Sequence, residues 1–298
     1  MVSQKTRPIC DYENSQYQTE FWDCGNREYE DKVERIALQK LLPKTGKRCL
    51  EIGAGAGRLT QELNHIDHIV LLDYSRSQIE QAQNLLGNSS KYTFVVADAY
   101  KPPFADQAFD AALMVRIIHH LTDPQHVLSL VNKLLKPNGC LVLEFANKRN
   151  IKSIIRYLLN RQSWNPFSYN SVEYNKLNLN FHPNNIMHML SVSDFTVGEK
   201  RSVSHFRWKH IKQLVPTNLL VSIDSALQTT GRYWQFTPSV LLQAFSNTNI
   251  NLNNEDKLFK CPTCNSKDIV ESPTNINCPN CGHICTKSNG IYDFKLSD

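Results

Sequence analysis

Leu50-Glu51-Ile52-Gly53-Ala54-Gly55-Ala56-Gly57-Arg58 is the stretch that decides the fold. A short apolar run meets three alternating glycines and then a segment able to be helical, the pattern of a strand turning into a helix around a ligand. Glycine suits such a turn because positive φ costs it little and its missing Cβ lets a ligand approach the backbone. One known form of such a turn is the dinucleotide fingerprint G-x-G-x-x-G/A, which requires Gly or Ala three positions after its second glycine. Counted from Gly53 and Gly55 that position is Arg58, and counted from Gly55 and Gly57 it is Thr60. Both frames fail.

Outward from the turn, strand and helix patterns alternate. Strands are predicted at 47–52, 69–73, 92–97, 109–115 and 140–145. Helices are predicted at 27–42, from the glycine turn through Leu63, at 75–86 and at 124–135, with Pro137-Asn138-Gly139 as the turn before the fifth strand. Strands separated by helix-length segments form right-handed βαβ units and a parallel sheet covered on both faces. Beyond Lys148 the pattern loosens into helices at 151–159 and 183–190, a strand at 195–206, a helical region through Gln228 and a last strand at 238–245. The polar, Asn-rich run 246–256 that follows has no apolar periodicity and reads as a linker.

The motif at the turn, E-x-G-x-G-x-G, resembles that of the class I S-adenosylmethionine-dependent methyltransferases, and the resemblance continues along the chain. Asp73 ends the second strand in Val70-Leu71-Leu72-Asp73, where an acid accepts hydrogen bonds from both ribose hydroxyls. Asp98-Ala99 follows the third strand at the place where the family reads the adenine amine, and Tyr74 would lie against the adenine. Phe104 and Phe109-Asp110 complete the family's signature before the fourth strand. The resemblance is firm over 47–145 and extends, as the type 11 group that includes quinone-biosynthesis enzymes, to about Ser246. It implies an α/β fold, a doubly wound, mostly parallel seven-stranded Rossmann-like sheet. It also implies a helical lid at 1–46, a cofactor-binding domain at 47–246 with an insert at 148–194, and a linker at 247–257. The implied cofactor residues are Glu51, Gly53, Ala54, Gly55, Gly57, Asp73, Tyr74, Asp98, Ala99 and Arg116. Glu51 would serve the methionine ammonium, and Arg116 would sit beside the methionine portion.

Methyl transfer from a sulfonium needs alignment and exclusion of water more than it needs a catalytic group. A base is required only where the acceptor must lose a proton early. His119 and His120 after the fourth strand are candidate bases, or braces of the cofactor loop. His182, before Pro183, is a base or a helix cap. Phe21, Trp22 and Tyr29 either close over cofactor and substrate as a lid or pin an N-terminal helix to the sheet.

Five of the nine cysteines crowd into 261–285. Cys261-Pro262-Thr263-Cys264 and Cys278-Pro279-Asn280-Cys281 are two C-x-x-C pairs thirteen residues apart, the spacing of a tetrahedral, structural Zn²⁺ site with no open position. Cys285 is surplus and reads as a small core residue. The tail Asn289-Gly290-Ile291-Tyr292-Asp293-Phe294 resembles that of the small zinc-ribbon proteins that activate methyltransferases, which implies a zinc ribbon at 258–298 set apart by the Asn-rich linker.

The chain has 298 residues, 41% hydrophobic and 20% charged, which suits a packed protein and excludes a disordered one. Its longest apolar runs are strand-sized, well short of the roughly 20 residues of a membrane span. With no signal-like N-terminus, a cytoplasmic location is expected. The formal charge of +5 is uneven: residues 148–212 hold 11 Lys+Arg against Glu173, Asp194 and Glu199, among many aromatics. A small or medium-sized metabolite is the expected methyl acceptor, with RNA as the alternative. No Asn/Asp-Pro-Pro-Tyr/Phe segment follows the fourth strand, which argues against methylation of a base amine. An intact glycine turn with both acids argues against a non-catalytic module. The sequence carries no signal of oligomeric state.

Overall fold

The computed structural model describes residues 9–15, 18–24, 27–175, 177–249 and 257–295. Its centre is a twisted sheet whose first five strands are β1 (Arg48–Ile52), β2 (His68–Asp73), β3 (Tyr92–Val96), β4 (Phe109–Met114) and β5 (Leu135–Ala146). After a separate two-stranded hairpin, β6 (Val172–Asn175) and β7 (Asn178–Asn180), come β8 (Phe195–Val203) and β9 (Ser239–Ser246). The central order is β3-β2-β1-β4-β5-β9-β8, the seven strands expected. The first five are parallel, and β9 runs antiparallel to both β5 and β8. Strand order reverses on either side of β1, so a crevice opens at the carboxyl ends of β1 and β4, where such sheets bind ligands.

Apolar side chains line both faces of the sheet. One face packs against α1 (Glu28–Leu41), α2 (Arg76–Leu86) and α7 (Thr217–Leu227), through Val33, Ala37, Ile79, Ala82 and Leu220. The other packs against α3 (Pro124–Leu134) and α5 (Pro183–Val192), through Val127, Val131, Ile186 and Leu190. Two further helices, α4 (Ile151–Leu158) and α6 (Lys209–Leu214), stand over the carboxyl edge. Helix starts follow local chemistry: Ser75 caps α2, Asp123 caps α3 ahead of Pro124, and the His182 ring accepts from the Asn184 amide to cap α5. Among the described residues no helix is long and apolar enough to cross a membrane.

Three expectations need correction. The helix predicted after the glycine turn is only a short 3₁₀ turn, Thr60–Leu63, because Gly57 adopts φ +78°, which a right-handed helix cannot include. The fifth strand begins at Leu135 rather than Cys140. It carries Pro137-Asn138-Gly139 as an irregularity between the Phe109–Leu135 and Ala111–Cys140 pairs.

The third correction concerns the C-terminal module, which does not stand apart behind its linker. Its strands β10 (Val270–Glu271), β11 (Asn275–Asn277), β12 (Ile284–Ser288) and β13 (Ile291–Asp293) extend the sheet. β13 pairs in parallel with β3, Ile291 opposite Phe94 and Asp293 opposite Val96. The connection 97–108 between β3 and β4 contains no helix, so the face it would have covered is filled by Phe259, Ile276, Cys285 and Phe294. Phe259 stacks on Phe104 at 5.9 Å, and the Lys260 amide donates to the Pro103 carbonyl at 2.9 Å. Of the linker 247–257, residues 250–256 lie outside the described residues.

Candidate active site

The glycine turn closes on the end of β2. The amides of Gly53 and Ala54 both donate to the Leu72 carbonyl, at 2.7 and 3.1 Å, and the Gly55 amide donates to Asp73 Oδ2 at 2.9 Å. Asp73 Oδ1 accepts from the Ser75 amide, also at 2.9 Å. The Tyr74 amide also acts on this carboxylate, which with four acceptor sites keeps capacity for a ligand hydroxyl. Gly53 is required twice over: its φ is +69°, and a Cβ there would come within 2.0 Å of Ile117 Cδ1. Gly57 touches the opposite side, against Ala82 of α2.

Two adjoining cavities, about 90 and 100 Å³, share Tyr12, Ile52, Gly53, Asp73, Ile117 and His120. Glu51, Ala54, Gly55, Arg116 and Trp22 line the first, while Tyr74, Asp98 and Ala99 line the second. All the sequence-predicted cofactor residues except Gly57 therefore meet around Asp73. The lining offers what an adenosyl cofactor with an amino-acid tail would need: a carboxylate beside the glycine turn, Tyr74 with Asp98-Ala99 in the second cavity, and the charged Glu51 and Arg116 in the first.

The first cavity is strongly charged. Glu51 is buried and accepts a hydrogen bond from the Thr60 hydroxyl at 2.6 Å. Burial pushes its pKa up to about 7, against the opposing pull of Thr60 and Arg58. Arg58 pairs with Asp31 and Glu34 of α1, and its guanidinium stacks 3.6 Å from the Trp22 ring centre. Arg116 has φ +61°, donates its amide to Glu144 Oε2 at 3.1 Å, and lies 5.0 Å over Trp22 and 5.1 Å over Phe21. Tyr29, by contrast, is buried between α1 and α7. Its hydroxyl donates to Asp224 at 2.6 Å and accepts from the Phe206 amide at 3.0 Å.

The two histidines differ. His120 lines both cavities, with Nδ1 2.8 Å from the Leu177 carbonyl and Nε2 3.3 Å from the Tyr12 hydroxyl. His119 lines neither, and its Nδ1 is buried without a hydrogen-bond partner. Burial lowers both pKa values, so each ring is neutral at pH 7. Asp110, part of the family signature, accepts from the Lys47 and Arg48 amides and pairs with Lys136, a structural role.

Sequence reading missed Tyr12 and Ile117. Tyr12 belongs to the segment 9–15, which is held over the site because Glu13 accepts from the Arg76 and Ser77 amides at the start of α2. Contacts more than sixty positions apart leave no local signal.

In the C-terminal module the sulfurs of Cys261, Cys264, Cys278 and Cys281 all lie within 4.8 Å of one another. Cys285 is not among them and is buried in the core.

Residues 50–143 match the family described as "Methyltransferase domain". Over 125 residues the chain is 33% identical to the ubiquinone/menaquinone biosynthesis C-methyltransferase UbiE of Pseudomonas fluorescens, covering 39% of this chain and 49% of that one. It is 34% identical over 112 residues to the malonyl-[acyl-carrier protein] O-methyltransferase of Legionella pneumophila, covering 37% and 38%. The chain thus spans half or less of the length of these relatives. Among solved structures, one chain of the complex between the Haloferax volcanii Trm112 methyltransferase activator and a methyltransferase superposes with a TM-score of 0.55. Its identity is 17%, over 79% of this chain and 98% of that one. A SAM-dependent methyltransferase of Leishmania major gives 0.51 at 16% identity, over 76% of each chain. At such identities the likeness shows the fold alone.

The sheet order and the crevice at β1 and β4 define the class of fold, a Rossmann-like α/β domain. Within that class, the match over 50–143 is to the family called Methyltransferase domain.

Proposed function

We propose that the protein transfers a methyl group from S-adenosylmethionine to a small-molecule acceptor. The observation that carries this is the Gly55–Asp73 cradle, opening into two cavities walled by the residues that the family uses for its cofactor. The cofactor, when bound, supplies a methyl group already activated on a sulfonium. Asp73 would hold the ribose, Asp98 and Tyr74 the adenine, and Glu51 the ammonium, while Trp22, Arg58 and Arg116 wall off water. His120 is the better placed of the two candidate bases: with Nδ1–H on Leu177, its neutral Nε2 can accept a proton. A relative named for quinone biosynthesis, and another for a malonyl group on acyl-carrier protein, support a small acceptor group rather than RNA.

The four clustered cysteines would hold a structural Zn²⁺. Their sulfur separations of 3.6 Å (Cys261 to Cys281) and 3.4 Å (Cys264 to Cys278) approach the roughly 3.8 Å edge of a tetrahedron with 2.3 Å zinc–sulfur bonds. Backbone amides of Ser266, Asn280 and His283 point at Cys264, Cys278 and Cys281, as in metal knuckles.

Calorimetric titration tests the central claim. S-adenosylhomocysteine should bind in the micromolar range and NAD should not; NAD binding of similar strength would overturn it.

A further inference from the structure

A cavity of about 510 Å³ lies apart from the cofactor site. It lies over the carboxyl edge between α4, the segment after β8 and the segment before β9. Two kinds of side chain dominate its lining. Trp164, Tyr174, Trp208, Trp234 and Phe236 provide aromatic wall, while Lys152, Arg156 and Arg207 provide positive charge. No aspartate or glutamate is among its lining residues.

Arg207 is the informative member. Its side chain is partly buried and faces Glu30 of α1, one helical turn from Glu34, whose Oε2 lies 3.8 Å from Arg116 of the cofactor cavity. Arg207 therefore lies on the side of the cavity toward Arg116 and the proposed methyl donor. Burial and the positive charges of Arg116 and Arg27 lower its pKa, with Glu30 and Glu144 opposing them. Glu30 compensates it only loosely: the Arg207 Nε to Glu30 Oε1 separation is 3.9 Å, too long for a hydrogen bond. The same carboxylate is held at 2.9 Å by Lys212. A guanidinium among the lining residues of a cavity without acids is suited to bind a carboxylate, phosphate or sulfonate. Part of the apolar lining is left in water, including Ile151 (54% exposed) and Trp234 (64% exposed).

We propose that this cavity is the methyl-acceptor site and that it takes an anionic amphiphile. The acidic group would be held by Arg207 on the donor side and an aromatic or aliphatic body lodged among Trp164, Trp208, Trp234 and Phe236. The proposal rests on the methyltransferase reading above and adds the acceptor class to it. The aromatic walls account for an apolar body. The absence of lining carboxylates accounts for an anion rather than a cation or a neutral sugar.

The test uses two probes with one aromatic body: 1-anilinonaphthalene-8-sulfonate, which is anionic, and N-phenyl-1-naphthylamine, which is neutral. Both are titrated into the full-length protein saturated with S-adenosylhomocysteine, following probe and tryptophan fluorescence. The expected result is one saturable site that prefers the sulfonate. In Arg207→Gln sulfonate affinity should fall by about tenfold or more, the neutral probe should be unaffected, and Arg207→Lys should fall between. Equal affinity for the two probes, or a sulfonate affinity untouched by Arg207→Gln, overturns the proposal. Calorimetry with S-adenosylhomocysteine on each variant keeps the two claims apart. Bound cofactor product without sulfonate preference defeats only the acceptor assignment, whereas loss of cofactor-product binding by the wild-type protein defeats the methyltransferase reading itself.

Discussion

The Gly55 amide donates to Asp73 Oδ2 at 2.9 Å, so the glycine turn and the acid at the end of β2 are one unit. The carboxylate that would receive a ribose also fixes the loop beside it. Asp73→Ala should therefore remove both the ribose acceptor and a support of the turn. With charge-assisted hydrogen bonds worth about 1.5–3 kcal/mol each, affinity for S-adenosylhomocysteine should fall at least tenfold by calorimetry. An unchanged affinity would mean that the ligand does not sit on β2.

Gly53→Ala should be worse than an ordinary glycine substitution, because the new Cβ would come within 2.0 Å of Ile117 Cδ1. Ile117→Ala in the same chain removes the clash but not the strain of a side chain at φ +69°. The double variant should recover part, not all, of the cofactor affinity lost by Gly53→Ala. A strictly additive double-mutant cycle would show that the two residues do not meet.

Glu51 makes both stability and cofactor binding depend on pH. Its pKa rises from 4.5 to about 7, chiefly by burial. Between those values the folded chain holds more protons than the unfolded one, so the contribution of Glu51 to stability falls as pH rises and levels off above about 7. Affinity for a cofactor carrying an ammonium should move the opposite way and increase through pH 7, as the carboxylate ionises. Calorimetry from pH 6 to 8 should show that rise in the wild type and a flat profile in Glu51→Gln.

Metal analysis should return one Zn²⁺ per chain, and chelation should lower the melting temperature of the whole protein rather than unfold an independent tail. β13 is hydrogen-bonded to β3, and Phe259 and Phe294 belong to the core of the sheet. Phe259→Ala should destabilise the chain by about 3–5 kcal/mol, the usual cost of emptying a buried aromatic site. Urea unfolding in a single transition would confirm the shared core, and two separate transitions would refute it.

Much of the site was legible because its chemistry is local. Glycines at alternate positions after an apolar strand, an acid closing the next strand and paired C-x-x-C motifs are short-range patterns, and the structure gathers nine of the ten proposed cofactor residues around Asp73. The four proposed zinc ligands likewise come together. Gly57 looked the same as its neighbours in sequence, but it packs on Ala82 because the turn has already bent away from the cavity.

The sequence by itself determined the strand–helix alternation, the turn and the two cysteine knuckles, since each follows from neighbours a few residues apart. Only the tertiary structure decided that His120 rather than His119 faces the cavities, that Tyr29 is a buried pin, and that His182 caps a helix. The same holds for the C-terminal module. An Asn-rich run predicts separation, yet the helix-free connection 97–108 leaves an apolar face bare, and burying that face against Phe259 and Phe294 draws the module into the sheet. These outcomes depend on side chains from distant positions competing for the same surface. No window of sequence contains that competition.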